Sequence, residues 1–280
     1  KSNSLILSTP GIRDVQFIQQ IVYERLKKGD KVVYISINKK PGILKNIFKK
    51  YEWDISTFEK RKKFVIIDVY KKILEKTGLE KIQEFITGSI TKLKQNTLLV
   101  IDSLSSFLDV YGANNAILAY LDQWIKQKNL TTITLLTDWP YSSNIITSIK
   151  SRFDCIIELR SIEKDILLRN YFAISKAKWV KNLYKKGVFF DVLCPGGIKE
   201  YVPKILVTGP YHAGKSTFTH AISSKATSVD RFGTTVALDY GHISYNGYAA
   251  DVFGTPGQSR FDPLLKMLGH RALGLFLVLD

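Results

Sequence analysis

Gly209-Pro210-Tyr211-His212-Ala213-Gly214-Lys215-Ser216 stands between an apolar strand and a helical stretch, and it fits G-x-x-x-x-G-K-[ST] at every fixed position. The spacing has a physical reason. Glycines at the first and sixth positions let the backbone turn tightly, so that successive N–H groups face a phosphate. The helix that follows adds the positive end of its dipole. Lys215 then reaches the β and γ phosphates, and the Ser216 hydroxyl binds Mg²⁺. The candidate cradle is therefore Gly209, Pro210, Tyr211, His212, Ala213, Gly214, Lys215, Ser216 and Thr217. Tyr211 and His212 read as loop filler or base-side contacts, not catalysts.

Working outward, the cradle sits in a restarted βα pattern. A strand is expected over 204–207 and a helix over 215–224. Strands follow over 236–245 and 248–253, a helix over 263–269, and a strand over 274–279. Upstream, Cys194-Pro195-Gly196-Gly197 is the clearest breaker cluster, and 198–203 reads as a linker. The first 197 residues alternate strands and helices in the same way. Strands are expected over 4–8, 31–37, 64–69, 97–101 and 131–136, with helices over 15–26, 43–51, 79–94 and 113–127. Helical crossovers of this length give right-handed βαβ units and a parallel sheet covered on both faces. Residues 155–159, 167–176 and 188–192 read as later antiparallel extensions at the sheet edge. The expected domains are 1–197 and 204–280, both α/β.

Composition narrows the class. The chain has 280 residues, 45% hydrophobic and 24% charged, an ordinary globular balance. Two cysteines far apart, Cys155 and Cys194, exclude a disulfide scaffold and point to a reducing, cytoplasmic setting. No apolar run approaches the 18 residues of a membrane helix. The missing initiator Met and the apolar end suggest a segment of a longer protein. The formal net charge is +16. Most of it lies in the first 200 residues, dispersed and mostly lysine, as in Lys45-Asn46-Ile47-Phe48-Lys49-Lys50 and Lys60-Arg61-Lys62-Lys63. It reads first as a solvated surface. A nucleic-acid or acidic-membrane surface is the alternative, unsupported by any nucleic-acid motif.

Residues 204–280 resemble the small GTPases, especially the Arf-like and MglA-type branch. The resemblance rests on the phosphate loop, on Thr234-Thr235 before a strand, and on Asp251-Val252-Phe253-Gly254-Thr255-Pro256-Gly257-Gln258 followed by Arg260-Phe261. It implies GTP and GDP as ligands and Mg²⁺ bound by Ser216 and Thr235. It also implies that the Gly257 N–H meets the γ-phosphate and that Gln258 orients the attacking water. The catalytic set implied is Gln258, Lys215 and Thr235. Two departures stand out. The Asp usually found four residues before the Gln is Gly254 here, with Asp251 three residues earlier as a possible substitute. The guanine-reading N-K-x-D motif would follow the last strand, where the chain stops.

Residues 4–197 resemble the KaiC-like branch of RecA-type ATPases, through the order of strands and helices, Tyr51-Glu52-Trp53-Asp54, and the Walker B pattern Leu98-Leu99-Val100-Ile101-Asp102-Ser103. The fold implied for the whole chain is two P-loop NTPase-type domains. In the first of these the loop Ser8-Thr9-Pro10-Gly11-Ile12-Arg13-Asp14-Val15 departs from the family's G-x-x-G-x-G-K-T. Arg13 replaces a Gly, Asp14 the Lys, and Val15 the metal-binding hydroxyl. Asn38-Lys39 stands where the family has its catalytic Glu pair. These losses imply a pseudo-ATPase. Asp102 is either a vestigial metal-shell residue or a helix cap. The combination reads as a GTP-binding switch with slow hydrolysis, acting through an oligomerising RecA-like platform and protein regulators or effectors. The alternative is a non-enzymatic scaffold or nucleic-acid-binding module.

Overall fold

The computed structural model describes residues 2–70, 73, 75–91, 93, 96–125, 130–164, 167–183, 187–227, 230–231, 234–235, 238–245, 248–255, 268–269 and 272–279. The chain divides into two compact units, Lys1–Lys185 with Phe190–Lys199, and Lys186–Phe189 with Glu200–Asp280.

The larger sheet has nine strands. They are β1 (Asn3–Ser8), β2 (Lys31–Ser36), β3 (Phe64–Asp68), β4 (Thr97–Asp102), β5 (Thr131–Thr137), β6 (Cys155–Lys164), β7 (Leu167–Ala177), β8 (Gly187–Leu193) and β9 (Gly197–Glu200). Their order is β3-β2-β4-β5-β1-β6-β7-β8-β9. The expected parallel core is present, with β1 paired to β5, β2 to β3 and β4, and β4 to β5. One expectation needs correcting. β6 runs parallel to β1, with Ser4 opposite Cys155, and the antiparallel arm begins only at β7. The last strand of this sheet, β9, overlaps the stretch 198–203 read as a linker and begins in the breaker cluster at Gly197.

Alternation along the apolar strands explains the core. Leu5, Leu7, Val33, Ile35, Leu99 and Ile101 face one way and pack on residues of the helices Leu79–Thr91, Leu104–Tyr111, Asn115–Ile125 and Ser143–Ser151. Ile6, Val32, Tyr34, Leu98 and Val100 face the other way, onto the helices Asp14–Lys27 and Pro41–Lys50. Both faces are buried, so the strands read as continuous apolar runs and not as in-out alternation. The strands' C-terminal ends carry Ser8, Ser36, Asp102 and Thr137 together at one edge of this core.

The second unit has strands β10 (Lys204–Thr208), β11 (Lys225–Thr227), β14 (Asp239–Tyr245), β15 (Tyr248–Gly254) and β16 (Ala272–Leu277) in the order β11-β14-β15-β10-β16. β10 is parallel to both β15 and β16, and β14 is antiparallel to β15. A separate ribbon pairs β12 (Asp230–Arg231) with β13 (Thr234–Thr235). The helix Lys215–Ile222 ends two residues earlier than its sequence pattern implies. It packs on this sheet through buried Thr219 and through Phe218, 5.4 Å from Phe276. The strand expected from Val236 starts at Asp239. Of the expected 263–269 helix only Leu268–Gly269 is described, and it is helical.

Candidate functional site

Two loop–helix junctions follow central strands, one in each unit, and their chemistry is opposite. In the second unit the loop leaves β10 at Gly209, whose φ is +153°. A Cβ there would lie 2.0 Å from the Val278 carbonyl oxygen, so only glycine fits this turn. The loop closes at Gly214, which caps the helix Lys215–Ile222. Lys215 is 7% exposed, and its Nζ donates to the Pro210 carbonyl at 2.6 Å. Burial lowers its pKa, and the charge of Asp239 opposes that shift. The ammonium is thus folded back over the cradle that Gly209–Ser216 forms.

Sequence reasoning missed Asp239. The Ser216 hydroxyl donates to its Oδ2 at 2.6 Å. Asp239 is 1% exposed, and its Oδ1 has no hydrogen-bond partner among the described residues. It lies in β14 directly opposite Gly254 of β15. A Cβ on Gly254 would stand 2.9 Å from the Asp239 Cβ and 2.9 Å from its Oδ2. The glycine at the position where the motif has its Asp therefore makes room for a carboxylate from the neighbouring strand. Asp251 does not take that role. The two positions are three apart along β15 and so face opposite sides of the sheet. Asp251 instead accepts the Tyr240 hydroxyl at 2.9 Å and pairs with His242 Nδ1 at 2.9 Å.

The donor set fits a hard divalent cation. A serine hydroxyl and a carboxylate with a buried, unpartnered oxygen converge at a helix start. Among the described residues no group of three or more His, Cys, Asp and Glu side chains could hold a metal by itself. Of the other predicted residues, Tyr211 is exposed, with its ring 3.9 Å from that of His212. Thr217 is in the first turn of the helix. Thr235 is in β13, opposite Asp230. Gly257 and Gln258 lie outside the described residues.

In the first unit the corresponding loop carries an acid. Asp14 is the first residue of its helix. Its carboxylate accepts the Ser8 hydroxyl at 2.7 Å and the Val15 N–H at 2.7 Å. Burial raises its pKa, against these hydrogen bonds and the charge of Lys39. The chain's own anion thus occupies the start of this helix, and buried Val15 offers no oxygen to a metal. Arg13 is turned away, its guanidinium donating to the Val192 carbonyl at 3.3 Å.

Asp102, at the end of β4, is fully buried. The Tyr34 hydroxyl donates to its Oδ2, and its Oδ1 has no partner among the described residues. Burial pushes its pKa up to about 6; the Tyr34 bond and Lys39 act the other way, and Asp14 adds to the rise. The capping alternative for Asp102 fails, because Ser103 is the cap of the helix Leu104–Tyr111 and accepts the Ser106 N–H at 3.5 Å. The Asp102 carbonyl takes the N–H groups of Ile37 and Asn38 at 2.6 and 3.2 Å, which brings Asn38-Lys39 beside it.

A parallel core in the order β3-β2-β4-β5-β1, a loop and helix after β1, and an acid ending β4 define an α/β fold of the RecA-like P-loop class. Residues 2–189 match the family model described as "ATPase: KaiC", and the chain belongs to that family. A KaiC-like protein of Pyrococcus horikoshii has the same fold at 21% identity and a TM-score of 0.60, over 71% of this chain and 89% of that one. The flagellar accessory protein FlaH of Methanocaldococcus jannaschii gives 15% identity and a TM-score of 0.57, over 72% of this chain and 89% of that one. An uncharacterised protein of M. jannaschii is 37% identical over 59 residues, 21% of this chain and 38% of its own length. A UPF0273 protein of Saccharolobus solfataricus is 26% identical over 114 residues, 36% of this chain and 40% of its own length. The chain thus spans less than half the length of these curated relatives. No helix among the described residues is long and apolar enough to cross a membrane.

Proposed function

We propose that the second unit is a GTP-binding switch with slow hydrolysis, joined to a RecA-like unit that no longer hydrolyses ATP. The observation that carries the reading is the hydrogen bond from Ser216 to buried Asp239 beneath a complete phosphate loop. In this reading Lys215 exchanges the Pro210 carbonyl for phosphate oxygens, and the N–H groups of the loop hold the remaining charge. Ser216 and Asp239, with Thr235, would hold Mg²⁺, which when bound would neutralise phosphate charge. Gly257 senses the γ-phosphate, and Gln258 orients water. The domain limits proposed are 1–197 and 204–280.

The first unit is proposed as the platform. Asp14 repels a phosphate at the point where the KaiC family has a lysine, and Asn38-Lys39 supplies no carboxylate base. Self-association through this unit and binding of protein regulators follow as its roles, in a cytoplasmic setting. The nucleotide state of the second unit would order or release the 234–235 and 257–258 segments. The test is hydrolysis of GTP with Mg²⁺ by the wild type and by Gln258→Leu. The variant is expected to bind GTP as the wild type does and to lose turnover. Equal turnover would remove Gln258 from the mechanism.

A further inference from the structure

The positive charge is less dispersed than it reads along the chain. Residues 24–63 hold 13 Lys and Arg against 5 Asp and Glu, a net of +8, which is half the excess of the whole chain. The fold then gathers much of this segment at one end. β2 and β3 are parallel, so both begin there. The helices Asp14–Lys27 and Ser56–Lys60 lead into those strands and end at the same place. The helix Pro41–Lys50 returns from β2 and ends there too. Two links tie the ends together. Lys63 Nζ donates to the Gly29 carbonyl at 3.1 Å, and Trp53 stacks between Tyr51 at 5.0 Å and Tyr23 at 6.1 Å.

The ion pairs of this segment are Arg25 with Asp30, Lys27 with Glu24, and Lys45 with Glu59. They leave Lys28, Lys49, Lys50, Lys60, Arg61 and Lys62 exposed and outside any ion pair among the described residues. Compensation of helix dipoles accounts for cations in a last helical turn, such as Lys49, Lys50 and Lys60. It does not account for Lys62, which lies beyond the C-cap Arg61. Lys62 holds φ at +53°, a backbone conformation glycine or asparagine would adopt more cheaply. It is the left-handed residue that closes the helix Ser56–Lys60, its N–H and that of Lys63 donating to the Glu59 and Phe58 carbonyls at 2.9 Å each.

We propose that this end of the first unit docks on a membrane surface rich in anionic phospholipid. Charge complementarity selects the class of partner, and side-chain chemistry selects lipid over nucleic acid. Five of these six cations are lysines, of which Lys60 also feels the exposed Asp54; lysines are compact point charges suited to a diffuse layer of headgroups, whereas paired phosphate recognition favours arginine. The aromatic residues beside them, Phe48, Tyr51 and Trp53, are buried and offer no face for a base to stack on.

The experiment is cosedimentation of the 280-residue chain with vesicles of phosphatidylglycerol and phosphatidylcholine, against phosphatidylcholine alone. Lys60→Glu, Arg61→Glu and Lys62→Glu are combined as the patch variant. Lys76→Glu, Lys81→Glu and Lys181→Glu are exposed positions elsewhere in the first unit and give the same change in net charge. Each basic residue near an anionic leaflet contributes about fivefold in affinity, so the patch variant should bind at least about a hundredfold more weakly. The control variant should bind nearly as the wild type does, and added salt should weaken binding to the anionic vesicles. Equal loss in both variants would reduce the effect to net charge and overturn the proposal. So would absence of binding to anionic vesicles, or tighter binding of duplex DNA than of vesicles at the same salt.

Discussion

Moving the carboxylate of Asp239 across to position 254 tests the geometry of the second unit most closely. Asp239→Gly removes the acceptor of the Ser216 hydroxyl. It also removes a carboxylate that would hold Mg²⁺ or orient Ser216 toward it, and loss of such a group weakens metal binding, so affinity for Mg²⁺-nucleotide should fall roughly tenfold to a hundredfold. Gly254→Asp alone should also be harmful. Its Cβ would stand 2.9 Å from the Asp239 Cβ, well inside carbon contact distance, and overpacking of this kind costs about 1–3 kcal/mol. Combined, the two changes relieve each other. The new carboxylate occupies the space that the old one left, on the side facing Ser216. The double variant should recover most of the affinity, with a favourable coupling of about 1–3 kcal/mol. Titration with a fluorescent guanine nucleotide, with and without Mg²⁺, measures binding, and thermal melts measure folding. A double variant as defective as Asp239→Gly would refute the claim that one carboxylate serves the site from either strand.

Two further outcomes follow from the first unit. Asp102 is raised from 3.8 to about 6 by burial, so the native state holds its proton more tightly than the unfolded chain does. The stability this contributes is complete below about pH 3.8 and is lost as pH rises through about 6, a change on the order of 3 kcal/mol. Asp102→Asn should therefore gain stability relative to the wild type between pH 4 and pH 7, read from denaturant melts; a constant difference would contradict the burial argument. Restoring the loop with Ser8→Gly, Arg13→Gly, Asp14→Lys and Val15→Thr, in a Lys215→Ala background, should produce ATP binding detectable by calorimetry. Continued absence of binding would show that Asp14 is not what closes the site.

The parallel core was legible because buried strands write themselves as apolar runs. Val32–Ile35 and Leu98–Ile101 need no alternation when both faces are covered. The phosphate loop was legible because its chemistry depends on spacing within one segment. Asp239 was not, because its place depends on register. The antiparallel pairing of β14 with β15 sets it opposite Gly254, fifteen positions away, and no local pattern records that pairing. A signal did exist in Leu238-Asp239-Tyr240, an acid at the start of an otherwise uncharged strand. The direction of β6 was misread for a related reason, since the sequence shows where a strand lies but not which neighbour it joins. Asp102 resembled a cap because capping residues follow strands; the structure gives that work to Ser103 and spends Asp102 on Tyr34.

On the proposed reading, nucleotide binds through the second unit and not the first. Calorimetry of the chain with GTP, GDP and ATP in the presence of Mg²⁺, compared with Lys215→Ala, tests it directly. Guanine nucleotides should bind the wild type and not Lys215→Ala, with no ATP binding left behind. ATP binding that survives Lys215→Ala would place the working site at Gly11–Asp14 and contradict it.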